Sequence, residues 1–369
     1  MPQHIIIVSN TAWSVSNFRM GLIKALISKG CRVTAMAPPD GNEKKLPPVG
    51  CAFIPLKNLS QAGTSPYRDW QLYLEFKRLF KQEKPDAVLL YTPKPNVYGS
   101  MAAAKLGIRC INTINGLGYT FQNPGMLSTL MLQLYRMSLR KSHKVFFQNK
   151  DDLSFFLDEK ILDEKKTHLV AGSGVDTDAI QPVAKSPQKK FVFLLCTRLI
   201  AEKGVPEYIQ AAHDLHTQFP DAVFRLIGKI AIHPSAIDES VLKKHMADGT
   251  IEYIEEIDDI NAALNDVDVL VHPSYYKEGI PRILLEGLSK GLPIITTDSV
   301  GCRDTVDNEI NGLIIPPKNA EALADAMRRM LTADKSVLEN MGKASRQKAL
   351  DEFDERKVIA EYLHYLGIA

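Results

Sequence analysis

The residues best suited to chemistry occupy two loops in the second half of the 369-residue chain. The first loop, residues 196–204, contains Arg198 and Lys203 between a strand-like and a helix-like segment. Ligands of open parallel α/β sheets bind at the carboxyl ends of the strands, and helix N-termini there attract anions. Two cations in such a loop can therefore hold a diphosphate without a metal ion. Solvated surface charges would produce the same pattern.

A second loop, which follows another strand-like run, holds two glutamates. Glu278 precedes a predicted helix and Glu286 lies inside it, with Pro281 suited to the first helical turn. Carboxylates accept hydrogen bonds from sugar hydroxyls, while the N–H groups of a helix N-terminus favour phosphate oxygens. The same spacing occurs at Glu75 and Glu83 on an ordinary amphipathic helix, so its meaning depends on the buried strand and the Gly-Ile-Pro beside it.

The elements that must position these loops alternate between β-rich runs and amphipathic stretches, which is typical of doubly wound parallel sheets. In the first half, the predicted strands are His4–Ser9, Arg32–Ala37, Ala87–Tyr91 and Arg109–Thr113, and the predicted helices are Asn17–Lys29, Tyr67–Lys84, Asn96–Leu106 and Met126–Lys144. In the second half, the predicted strands are Phe191–Thr197, Val223–Ile227, Val267–Val271 and Pro293–Thr296, and the predicted helices are Val205–Thr217 and Pro281–Lys290.

This alternation predicts an α/β protein with two Rossmann-like domains that face each other across a cleft. We expect the first domain in residues 1–180 and the second in residues 181–349, with a Gly- and Pro-containing linker at 172–190. Residues 350–369 form an amphipathic C-terminal helix that extends beyond the second domain and can pack back on the first.

Composition excludes several classes of protein. Hydrophobic residues at 45% and charged residues at 24% exclude a disordered, collagen-like or disulfide-framework chain. No apolar run approaches the roughly 20 residues that cross a bilayer, and the N-terminus lacks the features of a secretory signal. Five widely spaced cysteines favour reduced, buried thiols over disulfides or zinc ligands. We therefore predict a cytoplasmic protein.

Charge is distributed unevenly, although the net charge is only +2. Residues 1–180 hold 23 Lys+Arg and 14 Asp+Glu, a balance of +9, whereas residues 181–369 hold 22 and 29, a balance of −7. Residues 87–150 contain no acidic residue, which indicates an anionic partner. No nucleic-acid-binding motif accompanies this region, so phosphorylated small molecules or anionic lipid remain.

A basic stripe is predicted on the helix Met126–Lys144, where Arg136, Arg140 and His143 share one face. We expect Arg136, Arg140 and Lys141 to meet an anionic membrane surface. A core helix with one solvated face is the alternative interpretation of the same pattern.

Together, Arg198-x4-Lys203-Gly204 and Glu278-x7-Glu286, followed by Gly-Leu-Pro-Ile, resemble the retaining glycosyltransferases of family 4 over essentially the whole chain. That family has the GT-B fold of two facing Rossmann domains. The resemblance implies that Arg198 and Lys203 grip the donor's diphosphate, that Glu278 contacts the donor sugar and that Glu286 holds the nucleotide ribose. Further donor contacts would come from the backbone N–H groups of Gly279, Ile280 and Arg282.

Three segments of the first half resemble members that extend lipid-linked sugars for bacterial surface glycans. They are Trp13–Arg19, Thr92–Asn96 and Asn115–Tyr119. This likeness implies a polyprenyl-diphosphate-linked saccharide acceptor at the inner face of the cell membrane. It also implies acceptor or sugar contacts from Arg19, Lys94, Asn115 and Gly116. The resemblance to family 4 implies transfer of a hexosyl or N-acetylhexosaminyl residue with retention. From the cation pair and the helix N-terminus, without a credible divalent-metal site, we predict a UDP-sugar donor.

The chain departs from the family pattern at two places. Ser14-Val-Ser16 replaces a frequent Gly-Gly loop, and Asn115 replaces a frequent histidine, which removes a candidate general base. Asp266-Val-Asp268 imitates a metal-binding Asp-x-Asp motif, but it enters a predicted buried strand, so we expect no metal cofactor.

Two other functions fit the same fold. A sugar-nucleotide epimerase or hydrolase would need no lipid acceptor. A non-catalytic peripheral membrane protein would use the basic half for anionic lipid.

Overall fold

The computed structural model describes residues 3–368 apart from 61–62, 64, 119–120, 122–124, 184–189, 232 and 258. The chain forms two compact units. The first unit comprises Met1–Ser173 and Glu355–Ala369, and the second unit comprises Gly174–Asp354.

The first unit is built on a seven-stranded sheet whose described pairings are all parallel. Its strand order is β3-β2-β1-β4-β5-β6-β7, so the winding direction reverses between β1 and β4. The strands are β1 (His4–Val8), β2 (Arg32–Ala37), β3 (Ala52–Pro55), β4 (Ala87–Tyr91), β5 (Arg109–Ile114), β6 (Lys144–Phe147) and β7 (Thr167–Leu169). Every residue of β1 and β4 is buried, as expected for central parallel strands covered on both faces.

The helices of the first unit follow the carboxyl ends of these strands. They include α1 (Ala12–Phe18), α2 (Met20–Ser28), α3 (Pro66–Glu83), α4 (Ser100–Leu106), α5 (Met126–Leu139) and α6 (Lys150–Asp158). Thr11 caps α1 by accepting a hydrogen bond from the Ser14 N–H at 2.9 Å. Ser128 Oγ accepts from the Gly125 N–H at 2.8 Å, which helps to set the start of α5.

The second unit repeats this architecture with six parallel strands in the order β10-β9-β8-β11-β12-β13. Its winding reverses between β8 and β11. The strands are β8 (Phe191–Cys196), β9 (Ala222–Ile227), β10 (Glu252–Ile254), β11 (Val269–His272), β12 (Ile294–Thr297) and β13 (Gly312–Ile315). The helices include α7 (Val205–His216), α8 (Glu239–Ala247), α9 (Ile260–Ala263), α10 (Arg282–Lys290), α11 (Ala320–Thr332) and α12 (Lys335–Lys348). The predicted α/β fold of two Rossmann-like domains is confirmed.

The last helix, α13 (Glu355–Leu366), belongs to the first unit. Tyr362 is buried there, with its hydroxyl 2.6 Å from Thr113 Oγ1 and its ring centroid 4.8 Å from that of Phe146. The Leu366 carbonyl accepts a hydrogen bond from Arg109 Nη1 at 3.0 Å. These contacts tie the C-terminus of the chain to the sheet strands β5 and β6.

The second unit begins at Gly174, earlier than the predicted position 181. The reason is that residues 174–180 are bonded to the helices of the second unit. Arg346 donates to the carbonyls of Thr177 and Ile180, each at 2.9 Å, and Ser289 Oγ donates to Ile180 at 2.6 Å. The centre of the predicted linker, residues 184–189, lies outside the described residues.

One predicted helix is too long at its C-terminal end. The helix expected over Met126–Lys144 ends at Leu139, and Lys144–Phe147 is strand β6, paired with β5. The valine and the two phenylalanines of β6 are buried in the cores on the two faces of the sheet. Their burial in the strand outweighs the helical periodicity of the preceding residues. His143 therefore does not share a helical face with Arg136.

The structure also describes the cysteines and the apolar character of the helices. All five cysteines are free, and four of them are buried. Within the described ranges, no helix combines the length and apolar character needed to cross a membrane.

Candidate active site

Two loops of the second unit meet where its sheet changes winding direction. The loop after β8 carries Arg198 and Lys203, and the loop after the neighbouring strand β11 carries Glu278. Gly204 has φ +74°, and a Cβ there would lie 2.3 Å from the Pro273 carbonyl oxygen. Only glycine therefore permits this approach of the two loops. The carboxyl ends of strands at such a reversal are where doubly wound sheets bind ligands.

Lys203 and Glu278 form an ion pair with little solvent exposure. The side chains are 7% and 20% exposed, and Lys203 Nζ donates a hydrogen bond to Glu278 Oε1. The same carboxylate oxygen accepts from Ser274 Oγ at 3.1 Å and lies 3.5 Å from His272 Nε2. The glutamate is therefore anchored by three side chains of its own unit.

The electrostatic surroundings keep Glu278 ionised. Burial alone would raise its pKa, but the charge of Lys203 and the hydrogen bond from His272 bring the pKa well below its usual value. Burial lowers the pKa of His272, helped by Lys203 and opposed by Glu278. The Nδ1 atom of His272 is buried and has no hydrogen-bond partner among the described residues. His272 is therefore a neutral imidazole next to the ion pair of Lys203 and Glu278.

Arg198 is exposed and lies on the same side as Lys203. Both cations approach the ring of Tyr276, with Arg198 Cζ 5.7 Å and Lys203 Nζ 5.4 Å from the ring centroid. Both separations fall within the usual range of cation–π contacts, about 6 Å. The aromatic ring thus gathers two positive charges at the carboxyl end of β8, as the interpretation of a diphosphate-binding loop requires.

Glu286 lies on α10 and is held by its neighbour one turn earlier. Arg282 Nε donates to Glu286 Oε1 at 3.0 Å, and Arg282 Nη1 donates to the Gly174 carbonyl at 2.7 Å. Burial raises the pKa of Glu286, and the charge of Arg282 opposes this rise only in part. The raised pKa of Cys196, about 12, arises from burial and from the nearby charge of Glu286.

The N-terminus of α10 presents backbone donors beside this glutamate. Pro281 is the N-cap residue, and the N–H groups of Gly279 and Ile280 donate to no acceptor in the part of the chain that the structure describes. Gly301 has φ +76°, and a Cβ there would lie 1.6 Å from the Gly279 carbonyl oxygen. The loop after β12 therefore supports the turn that exposes these donors.

Asp266 and Asp268, which resemble a metal-binding Asp-x-Asp motif in the sequence, form hydrogen bonds with other residues of the second unit. Asp266 accepts from Arg225 at 2.8 Å, and Asp268 accepts from the Val192 N–H at 2.8 Å. The described residues offer two three-residue groups with metal-ligand spacing, His213–His245–Asp248 and His272–Glu278–Cys302. The second contains Glu278, which is neutralised by Lys203, and Cys302, whose pKa burial raises to about 12. Its chemistry fits an internal hydrogen-bonded cluster better than a cation site.

In the first unit, Arg19 is a buried cation without an ionic partner among the described residues. It is 4% exposed, its guanidinium lies 3.9 Å from the centroid of the Tyr91 ring, and its Nε atom makes no hydrogen bond. Arg19 lies between α1 and α2, and its contact with Tyr91, the last residue of β4, places its guanidinium at the carboxyl end of that strand, where the winding of the sheet reverses. A buried guanidinium of this kind is suited to an anionic ligand.

The other predicted residues of the first unit lie after β4 and β5. Lys94 pairs with Asp69 at 3.0 Å, and Asn115 Oδ1 is buried without a partner among the described residues. Gly116 has φ +111°, which allows the sharp turn that follows β5. Thr92, before Pro93, has φ +69°, a conformation rare for a β-branched residue and often found at functional sites. Tyr119, the end of one predicted motif, lies outside the described residues.

The predicted membrane-facing residues differ in their environments. Arg136 donates to the Glu159 carbonyl at 2.7 Å and pairs with its carboxylate at 3.2 Å. Arg140 and Lys141 are exposed just beyond the end of α5. Arg136 and Arg140 line a concavity of about 550 Å³ with two further lysines, Lys160 and Lys166.

Sequence reasoning missed three side chains that shape the second-unit site: His272, Ser274 and Tyr276. All three lie in the segment that leads from β11 to Glu278, so their position after a buried strand was the available signal. No signal pointed to the bond from Arg282 to Gly174, because these residues are remote in the sequence.

Comparisons with known families agree with this two-part architecture. Residues 4–149 match the family described as Glycosyl transferase 4-like, and residues 176–348 match the family described as Glycosyl transferases group 1. The two matches follow one another along the chain and correspond to the two sheets.

Individual relatives and structures extend this result. The chain is 28% identical, over 96% of both chains, to an N,N'-diacetylbacillosaminyl-diphospho-undecaprenol α-1,3-N-acetylgalactosaminyltransferase of Campylobacter jejuni. It is 25% identical, over 78% of this chain and 76% of the relative, to a UDP-Gal:α-D-GlcNAc-diphosphoundecaprenol α-1,3-galactosyltransferase of Escherichia coli. A crystal structure of a glycosyltransferase from Rickettsia africae superposes with a TM-score of 0.82 at 19% identity, covering 100% of this chain and 98% of the other.

The ion pair predicts a large stability effect from removing one partner. Lys203→Met leaves the Glu278 charge buried, so we expect the second unit to lose about 3 kcal/mol of unfolding free energy at neutral pH. The double variant with Glu278→Gln should regain much of the lost unfolding free energy, because no buried charge then remains unpaired. Urea unfolding of the single and double variants measures this coupling.

The Glu278 carboxyl group determines how the unfolding free energy changes with pH. In the wild type, the lowered pKa of Glu278 means that its stabilising effect is present above about pH 4.5 and is lost as the pH falls through the lowered value. In Lys203→Met, burial favours the protonated form of Glu278. Acidification towards about pH 5 should therefore reduce the difference in unfolding free energy between this variant and the wild type. Lys335→Met, at an exposed pair with Glu339, is the control and should leave the midpoint unchanged. If the losses of unfolding free energy in Lys203→Met and Glu278→Gln simply added up in the double variant, the proposed coupling between the two residues would be refuted.

Proposed function

The chain is a glycosyltransferase whose two units match the glycosyl transferase 4-like and group 1 families. We propose that it moves a hexosyl or N-acetylhexosaminyl residue from a UDP-sugar to a polyprenyl-diphosphate-linked saccharide. The observation that carries this proposal is the cluster of Arg198, Lys203, Glu278 and Glu286 at the winding reversal of the second unit. The names of two relatives specify undecaprenyl-diphosphate-linked acceptors, and one names UDP-galactose as donor.

The second unit supplies the donor site in this proposal. Arg198 and Lys203 hold the diphosphate, together with the free N–H groups of Gly279 and Ile280. Glu286 accepts hydrogen bonds from the ribose hydroxyls, and Arg282 keeps its carboxylate in place. Glu278, fixed by Lys203 and Ser274, contacts the donor sugar.

The same residues can assist departure of the nucleoside diphosphate. Negative charge grows on the diphosphate as the anomeric carbon–oxygen bond breaks, and preorganised cations stabilise that charge most effectively in a partly buried site. Attack of the acceptor hydroxyl on the same face would retain the anomeric configuration. The names of both relatives specify an α-1,3 linkage, which is the linkage that retention would give from an α-linked donor.

The first unit supplies the acceptor contacts in this proposal. Arg19 is buried without an ionic partner in the described ranges, and Asn115 Oδ1 also lacks a partner there. Lys94 and Gly116 follow neighbouring strands of the same sheet. We assign Arg19 and Lys94 to anionic groups of the acceptor, and Asn115 with the Gly116 backbone to its hydroxyls.

Two features favour transfer over the alternatives. The Campylobacter jejuni relative, which matches over 96% of both chains, is named as a transferase with a lipid-linked acceptor, whereas an epimerase or hydrolase would need no such acceptor. An ion pair and two cation–π contacts link Arg198, Lys203 and Glu278 through Tyr276, and Glu286 pairs with Arg282. A protein without turnover would have no reason to keep these arrangements. We further propose that the protein is peripheral at the cytoplasmic face of the membrane, where such acceptors are extended.

The function is tested by acceptor dependence. With a panel of UDP-sugars and an undecaprenyl-diphosphate-linked saccharide, we expect release of UDP only when both substrates are present. Since Lys203 and Arg198 supply the positive charge, a chelator should leave this rate unchanged. UDP release at the same rate without acceptor would favour a hydrolase, and loss of activity in chelator, restored by magnesium, would contradict the metal-free mechanism.

The raised pKa of Glu286 predicts how donor binding depends on pH. Binding to ribose hydroxyls needs the ionised carboxylate, so UDP affinity should fall on acidification while the pH is still above about 4.5. Glu286→Gln should weaken UDP binding about ten-fold and flatten this dependence, because the charge-assisted hydrogen bonds are lost. Calorimetric titration measures both effects. Glu321→Gln, at an exposed helical glutamate of the same unit, should bind UDP as wild type does; equal losses in both variants would refute the assignment.

Membrane attachment is tested at the exposed end of α5. Each Lys or Arg near an anionic surface contributes about 1 kcal/mol, so Arg140→Glu with Lys141→Glu should reduce sedimentation with anionic liposomes at least ten-fold. Arg136 is spared because it pairs with Glu159. Lys335→Glu with Lys343→Glu makes the same charge change on α12 and should bind liposomes normally. Unchanged sedimentation of the first variant would remove these residues from the membrane contact.

A further inference from the structure

An apolar cavity of about 590 Å³ lies within the first unit. It is walled by α5, by the first turns of α3 and by the segment after β4. Side chains that carry its apolar character include Leu59, Val97, Leu117, Phe121, Met131 and Leu134. Its volume falls in the range of about 300–1,000 Å³ that is usual for small-molecule sites.

The cavity is continuous with exposed apolar surface. Leu127 and Leu130 line it and are nevertheless 43% and 54% exposed, and Met126 beside them is 90% exposed. Leu127, Leu130, Met131 and Leu134 follow one another at helical spacing, so a single stripe of α5 forms both the wall and the entrance. Contiguous exposed apolar surface of this kind marks a binding site for an apolar partner.

The wall formed by α3 carries aromatic residues at the surface. Pro66 and Asp69 of α3 line the cavity, and between and beside them Tyr67 and Trp70 are 65% and 57% exposed. Tyrosine and tryptophan are the residues that prefer the boundary between water and hydrocarbon. The entrance therefore has the composition of a surface that rests at a lipid headgroup layer.

Charge within the cavity is restricted to one ion pair. Among the described lining residues, Asp69 is the single carboxylate and Lys94 the single cation, and they lie 3.0 Å apart. Tyr98 also donates to Asp69 at 3.1 Å, so Asp69 keeps a partner when Lys94 turns to another anion. An apolar cavity with one releasable cation complements a hydrocarbon chain that ends in a phosphate.

We infer that this cavity binds the first isoprene units of the lipid-linked acceptor, with Lys94 at the diphosphate and the remainder of the chain left in the bilayer. The inference rests on the proposed function and specifies where the lipid part of the acceptor is recognised. It assigns membrane contact to the apolar entrance at Leu127, Leu130 and Trp70 in addition to the basic residues beyond the end of α5. Thr92, strained at the edge of the cavity, keeps Pro93 and Lys94 against it.

The test uses Leu130→Asp, whose exposed position should tolerate the change, and Val337→Asp, at a 42% exposed valine of α12, as the matched control. The first measurement is calorimetric binding of farnesyl diphosphate, compared with inorganic diphosphate. We expect Leu130→Asp to weaken farnesyl diphosphate binding about ten-fold, as removal of apolar contact in a pocket does, and Val337→Asp to leave it unchanged. Neither variant should alter UDP affinity.

The second measurement is transfer to two acceptors with the same saccharide diphosphate, one on an undecaprenyl chain and one on a benzyl group. We expect Leu130→Asp to raise KM about ten-fold for the undecaprenyl acceptor only. Equal effects on both acceptors, or normal transfer by the variant, would overturn the inference while the proposed function stands. Reduced liposome sedimentation with normal farnesyl diphosphate binding would overturn it too, since α5 would then touch only the bilayer. Selective loss of farnesyl diphosphate binding without transfer to any acceptor would support the cavity and refute the function.

Discussion

The ion pair between Lys203 and Glu278 is the interaction on which the second-unit site depends. Two partly buried charges in adjacent loops remain stable only because each neutralises the other, and Ser274 and His272 satisfy the carboxylate further. Gly204 brings the loops close enough for this contact. The pair therefore fixes a cation and a carboxylate at the carboxyl ends of β8 and β11 before any substrate arrives, which is the preorganisation that charge-separating reactions require.

The buried cations Lys203 and Arg19 differ in whether a carboxylate neutralises them. In the second unit, Lys203 and Arg282 each have a glutamate partner. In the first unit, Arg19 has an aromatic ring but no ionic partner among the described residues. A cation that already has an anionic partner is held in position before the ligand arrives, whereas an unpaired buried cation gains more from an incoming anion. This difference fits a donor site that is assembled in advance and an acceptor site that is completed by its substrate.

Much of the fold follows from local sequence patterns, and the exceptions have physical causes. The strands Arg32–Ala37 and Ala87–Tyr91 were predicted with their observed bounds, because continuous apolar runs between turn residues allow few alternatives. Strand β6 was not predicted, and the helix before it was predicted five residues too long, since the amphipathic pattern of α5 continues almost to the strand. Short edge strands such as β3 and β10 were missed because a few half-buried residues carry little periodicity.

For the site, residue types and spacing identified Lys203, Glu278 and Glu286 as candidates, but not the ion pair between Lys203 and Glu278. Pairing depends on which strands are neighbours, and that is a property of the whole sheet. The most direct test is a crystal structure with UDP. We expect the diphosphate within about 3 Å of Lys203 and Arg198, and the ribose hydroxyls on Glu286. A diphosphate bound on the first unit, or held through a divalent cation in the second, would contradict this account.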